Sequence, residues 1–100
     1  MIIGTTPKHT FKLPFDTSVI RKIRVIYSQN DTAILTKTEK DCVLGNNDLS
    51  VTLTQEDTFK FDHKLPVEIQ VRVLTNNGSV AASIPKKVGV TKCLETEVIE

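Results

Sequence analysis

Tryptophan is absent and tyrosine occurs once, at Tyr27, with four Phe completing the aromatics. That supplies few rings for the stacking platforms that bind sugars or single-stranded nucleic acid. Cysteine is nearly as scarce, and Cys42 and Cys93 lie far apart. In a protein made in the cytoplasm they read as two free thiols, although their separation would permit a 42–93 disulfide. A zinc site built from them with His9 and His63 lacks the local paired-ligand spacing of such sites, so no metal or cofactor is expected. The four glycines, Gly4, Gly45, Gly78 and Gly89, each stand alone, which excludes glycine-rich phosphate loops. Nucleophile-elbow and His-Glu-x-x-His motifs are missing as well. Neither sign of charge is in surplus: 13 Lys and Arg face 12 Asp and Glu for a net charge of +1. Nothing draws the whole chain towards nucleic acid or an anionic membrane. No apolar run approaches the ~18 to 20 residues of a membrane-spanning helix. The opening Met1-Ile2-Ile3-Gly4-Thr5-Thr6-Pro7 has no basic segment followed by a long apolar one, so a signal peptide is not expected and synthesis is assigned to the cytoplasm. Release by lysis, the route of virus particles, would need no such signal and leaves a virion-associated end point open.

What the chain does have is alternation. Val67, Ile69, Val71 and Val73 alternate with Glu68, Gln70 and Arg72, the period-2 pattern of a half-buried strand. Asn77-Gly78 follows as a hairpin turn, with a return strand over residues 79–83, an interruption at Ile84-Pro85 and a last strand over 86–92 that points Val88 and Val90 inward. Earlier, Phe11, Leu13 and Phe15 share one parity and predict a first strand ending near Pro14. Ile23, Val25 and Tyr27 mark the inward face of a second strand, with Ile26 apolar on the opposite side. Asn30-Asp31-Thr32 turns the chain into a third strand over 33–38. Leu49, Val51 and Leu53 give another inward face after the polar turn at residues 45–48. Thr54 and the acids Glu56 and Asp57 predict one short helical turn, and Phe59 and Phe61 read as core residues.

One hundred residues suffice for one domain with its own core. About seven short strands, separated by polar turns and with no long amphipathic helix, predict an all-β fold, an antiparallel immunoglobulin-like β-sandwich, with a small β-barrel as the alternative. The sandwich is expected over residues 1–93 and a C-terminal tail over 94–100.

Candidate chemistry is sparse. Glu56 and Asp57 sit where first-turn charges belong, which accounts for them better than acid–base catalysis. Asp41, Asn46, Asn47 and Asp48 lack the spacing of a calcium loop. No enzymatic activity is expected. Arg21, Lys22 and Arg24 form the most basic cluster and read first as a solvated strand face, second as a contact for phosphates or an acidic partner. Ile2, Ile3, Leu94, Val98 and Ile99 are apolar residues outside the expected core. These eight are the candidate interaction residues. Edge strands offer unpaired backbone groups to another chain, so protein partners are expected, copies of this chain included, and neither nucleic acid nor membrane.

Residues 9–16 (His-Thr-Phe-Lys-Leu-Pro-Phe-Asp), 53–61 and 69–73, together with Lys92-Cys93-Leu94 through Glu97-Val98, resemble small prophage-encoded proteins of Gram-positive gut bacteria. The resemblance covers nearly the whole chain. More loosely, the order of expected strands is similar to that of immunoglobulin-like modules of phage baseplate proteins. The resemblance implies a structural or assembly role in a virion, in the tail or baseplate region, and it brings no functional residues with it. A carbohydrate-binding or adhesin-like module is the alternative, ranked second for want of exposed aromatics.

Overall fold

The computed structural model describes residues 1–100. Its strands are β1 (Lys8–Lys12), β2 (Ile20–Gln29), β3 (Thr32–Thr38), β4 (Cys42–Leu44), β5 (Asp48–Thr52), β6 (Val67–Thr75), β7 (Val80–Ala82) and β8 (Lys86–Val88), with the short helix α1 (Gln55–Phe59) between β5 and β6. Every strand pairing is antiparallel. One sheet runs β1-β5-β4, and the other runs β3-β2-β6-β7 with β8 also on β6. Lettered as in immunoglobulin-like sandwiches, these are B-E-D and C′-C-F-G, the latter with its last strand divided in two. The two sheets keep separate edges, which sets the barrel alternative aside.

Alternation explains the core. Ile23, Val25 and Tyr27 of β2 and Val67, Ile69, Val71 and Val73 of β6 face Leu49, Val51, Leu53 and Phe61, all buried in one cluster. The register pairs Val25 with Val71 and Tyr27 with Ile69, so the two central strands present a continuous β-branched and aromatic face. Ile26 lies on the outer face, as its parity requires. Between β2 and β3, Asn30 and Asp31 adopt φ of 50° and 62°, the conformation that a two-residue hairpin turn demands.

Several elements differ from the expectations. The first strand ends at Lys12. Leu13 and Phe15 follow it as half-buried loop residues packed on the core, with the Leu13 amide bonded to the Asn47 carbonyl at 2.7 Å. Of the two phenylalanines assigned to the core, Phe61 is buried whereas Phe59 is half-buried. The return strand is interrupted at Ile84-Pro85 as expected, but the break begins one residue earlier, at Ser83, whose hydroxyl accepts the Val71 amide at 3.0 Å. Ile84 is turned out to 90% exposure.

The largest correction concerns the N-terminus. Ile2 forms a parallel bridge with Thr91. The Ile3 amide donates to the Thr91 carbonyl at 3.0 Å, and the Thr91 amide to the Met1 carbonyl at 2.8 Å. Ile3 is therefore buried within the domain and is not a docking side chain, while Ile2 stays half-exposed. Gly4 makes the turn into the sandwich with φ of +84°, and a Cβ there would lie 3.2 Å from Phe59 Cζ and 3.3 Å from Cys93 Sγ. Gly4→Ala is expected to cost about 1 kcal/mol or more, a fall in Tm of roughly 4–8 °C for a domain of this size. An unchanged melt would show that this segment does not contribute to the cooperative unit.

Candidate functional site

Two places gather polar side chains inside the sandwich. His9 Nδ1 lies 2.8 Å from the Tyr27 hydroxyl, and the Tyr27 ring leans on Phe61 with centroids 6.0 Å apart. Burial first, then the positive N-terminus and Lys86, lower the His9 pKa. Burial, with Cys42 and Asp57 nearby, raises that of Tyr27 far above the ordinary phenol value. With the imidazole neutral and the phenol protonated, the tautomer of His9 decides which of the two donates in this contact. Because folding lowers the His9 pKa, its contribution to stability is complete above about pH 6.5 and is lost as pH falls through the folded-state value. Thermal melts between pH 7 and pH 5 should show a declining Tm, and His9→Gln should flatten that decline.

The second place is the start of α1. Lys37 Nζ and Asp57 Oδ2 are 2.8 Å apart, the chain's one ion pair. Asp57 also accepts the Thr54 amide at 3.0 Å, and Thr54 Oγ1 accepts the Asp57 amide at 3.1 Å. This reciprocal capping box is what the spacing of Thr54 and Asp57 encodes. Asp57 is thus a structural carboxylate, while Glu56 is exposed. The Asp41 carboxylate accepts the Thr38 amide, and the backbone carbonyls of Asn46 and Asn47 accept the amides of Thr17 and Leu13. Cys42 and Cys93 are free thiols. The Cys42 sulfhydryl donates to the Thr38 carbonyl at 3.3 Å.

The remaining candidate is on the outside. Lys22 and Arg24 project from the outer face of β2, and pairing with β6 places Leu74 opposite Lys22 and Arg72 opposite Arg24. Val80 of β7 is opposite Leu74. These five side chains border a shallow groove of about 370 Å³. Arg24 and Arg72 are like charges directly across a strand pair, an arrangement that costs stability. Neither is in an ion pair. Glu39 lies within the influence of the Lys22 charge, and its carboxylate accepts the Ile23 amide at 3.3 Å. Backbone hydrogen bonds at Glu39 and Ile23 hold it below the ordinary carboxylate range, with Lys22 and Lys40 adding to the effect.

Of the basic cluster seen in the sequence, the structure keeps Lys22 and Arg24 together and separates Arg21, which occupies a register shift between Ile20 and Lys22. Arg72, Leu74 and Val80 complete the surface and were not among the candidates. The parity of β6 puts Arg72 on the outer face, but only the β2–β6 register brings it to Arg24.

The tail supplies the other exposed candidates. Leu94 is 97% and Ile99 73% exposed, with Val98 half-buried. No strand or helix forms over residues 94–100. The segment is tethered where the Ile99 amide donates to Gln55 Oε1 at 2.9 Å and Gln55 Nε2 donates to the Ile99 carbonyl at 3.0 Å.

No family model, curated protein or solved structure matches this chain.

Proposed function

We propose that this chain is a non-enzymatic structural or assembly module of a phage particle, acting through protein–protein contacts. One observation carries the protein-contact reading: the most exposed large aliphatic side chains lie on or beside edge strands and on the tail. Val43 on edge strand β4, Val80 on β7, Ile84 beside it and Leu94 on the tail are 73%, 59%, 90% and 97% exposed. Apolar groups on unpaired edges are what a partner chain covers. The titratable groups that do converge, His9 with Tyr27 and Lys37 with Asp57, are engaged in bonds within the fold. The phage assignment rests on the sequence resemblance and narrows the partners to particle components. Sugar recognition is less well supplied, since Tyr27 and Phe61 are buried and Phe11, Phe15 and Phe59 are half-buried.

The reading is tested by inducing the bacterium that carries the gene, purifying particles on a density gradient and analysing fractions by mass spectrometry. The chain is expected to travel with intact particles or with tail-assembly intermediates. Its confinement to the soluble lysate, with particles complete in a strain lacking the gene, would overturn the phage assignment.

A further inference from the structure

We infer that the basic groove on the outer face of β2 and β6 is the docking site for residues 94–100 of a second copy of this chain. The inference rests on the protein-contact reading above, and it names the partner.

Charge is the first argument. Lys22, Arg24 and Arg72 form an exposed cationic strip in which Arg24 opposes Arg72 and neither has an ion-pair partner. The tail Leu94-Glu95-Thr96-Glu97-Val98-Ile99-Glu100 carries three carboxylates and no cation. None of the three is in an ion pair. Each surface holds what the other lacks, and placing carboxylates between Arg24 and Arg72 would relieve their mutual repulsion.

Spacing is the second argument. In extended chain, residues two apart lie on one side at roughly 6.6 to 6.8 Å. On β2 the outward series is Lys22, Arg24, Ile26. On the tail the matching series is Glu95, Glu97, Ile99. Two cations followed by an aliphatic thus face two anions followed by an aliphatic at the same period.

Placement is the third argument, and it selects a second copy over the chain's own tail. Pairing of Val88 with Val67 sends the chain after β8 past the start of β6, and Gln55 holds Ile99 at α1. Arg72 and Leu74 lie on the other half of β6, with Arg72 about 17 Å along the strand from Val67 at ~3.3 Å per residue. The chain therefore leaves for the tail at the Val67 end of β6, and the groove lies towards its Thr75 end. A contact between two different patches on identical chains is heterologous, and repetition of it yields rings or open filaments.

The test uses the full chain in sedimentation velocity over a concentration series. The wild type is expected to associate at low salt and to dissociate progressively towards about 0.5 M NaCl, as screening shortens the Debye length. Arg24→Glu with Arg72→Glu, and separately Glu95→Lys with Glu97→Lys, should each weaken association by about tenfold or more, the equivalent of ~1.4 kcal/mol. Both pairs combined in one chain restore opposite signs and should recover much of the association. Circular dichroism melts verify that these exposed substitutions leave the fold intact. A wild type that stays monomeric throughout would overturn the proposal. So would groove variants that associate like the wild type, or loss on groove reversal with none on tail reversal, since another segment would then be the occupant. Failure here leaves particle incorporation to be judged by the gradient experiment, so the two readings fall separately.

Discussion

Val71→Asp is expected to abolish the cooperative thermal transition. Val71 is 3% exposed, paired with Val25 of β2 on one side and bonded to Ser83 on the other. Losing the buried isopropyl group removes about 1.5 to 3 kcal/mol of transfer free energy. The new carboxylate must then either ionise in the core without a partner or take up a proton there, at a further cost of several kcal/mol. The sum is comparable to the ~5 to 15 kcal/mol that holds a typical domain together. The control is one residue away. Arg72 is exposed and faces Arg24 across the strand pair, so Arg72→Ala should change stability by no more than about 0.5 kcal/mol. Its sign should favour the variant, because a like-charge pair disappears. Far-ultraviolet circular dichroism against temperature reads both. A normal melt for Val71→Asp would mean that the inward face of β6 is misassigned.

This contrast also shows which parts of the molecule were legible in sequence. Parity is local: Val71 inward and Arg72 outward follow from alternation alone, and so do Ile23, Val25 and Tyr27 on β2. Turn chemistry is local too, and Asn30-Asp31, Asn77-Gly78 and the Thr54–Asp57 box each specify their backbone. Register and edge pairing are not local. That Arg24 meets Arg72 depends on which strands are neighbours and on the shift between Ile20 and Lys22, and no window of a few residues contains that information. The same limit applies to Ile3. Three residues at the N-terminus are too few to display a period, and their partner Thr91 lies at the other end of the sequence, so an apolar start looked like a free end. The divided return strand is intermediate: Pro85 announces an interruption, but the Ser83 hydroxyl that bonds the Val71 amide could be recognised only once β7 was placed on β6.

Asp57→Ala is the second substitution with a large expected effect, about 2 to 4 kcal/mol, because one carboxylate serves two structures. It caps α1 by accepting the Thr54 amide, and it neutralises Lys37 in a pair whose side chains are 16% and 10% exposed. Removing it leaves a helix-start amide without its acceptor and an ammonium group without its counterion in a poorly hydrated place. The pH dependence separates this account from simple loss of packing. Burial by itself would raise the Asp57 pKa, but the hydrogen bond from Lys37, the Thr54 amide and the Lys37 charge outweigh it and hold the carboxyl below its ordinary value. A carboxyl with a depressed folded-state pKa stabilises the fold above its unfolded pKa, and that contribution disappears as pH falls through the folded value. The wild type should therefore lose stability from about pH 4 downward, and Asp57→Asn, already without the charge, should lose less over that interval. Lys37→Met supplies the opposite displacement. With the ammonium gone, the carboxyl keeps the cost of burial and loses its strongest compensation, so acid unfolding should begin at higher pH than in the wild type. Urea titrations at a series of pH values would measure all three. If Lys37→Met and the wild type unfolded along the same acid limb, the ion pair would not be what holds the Asp57 carboxyl ionised.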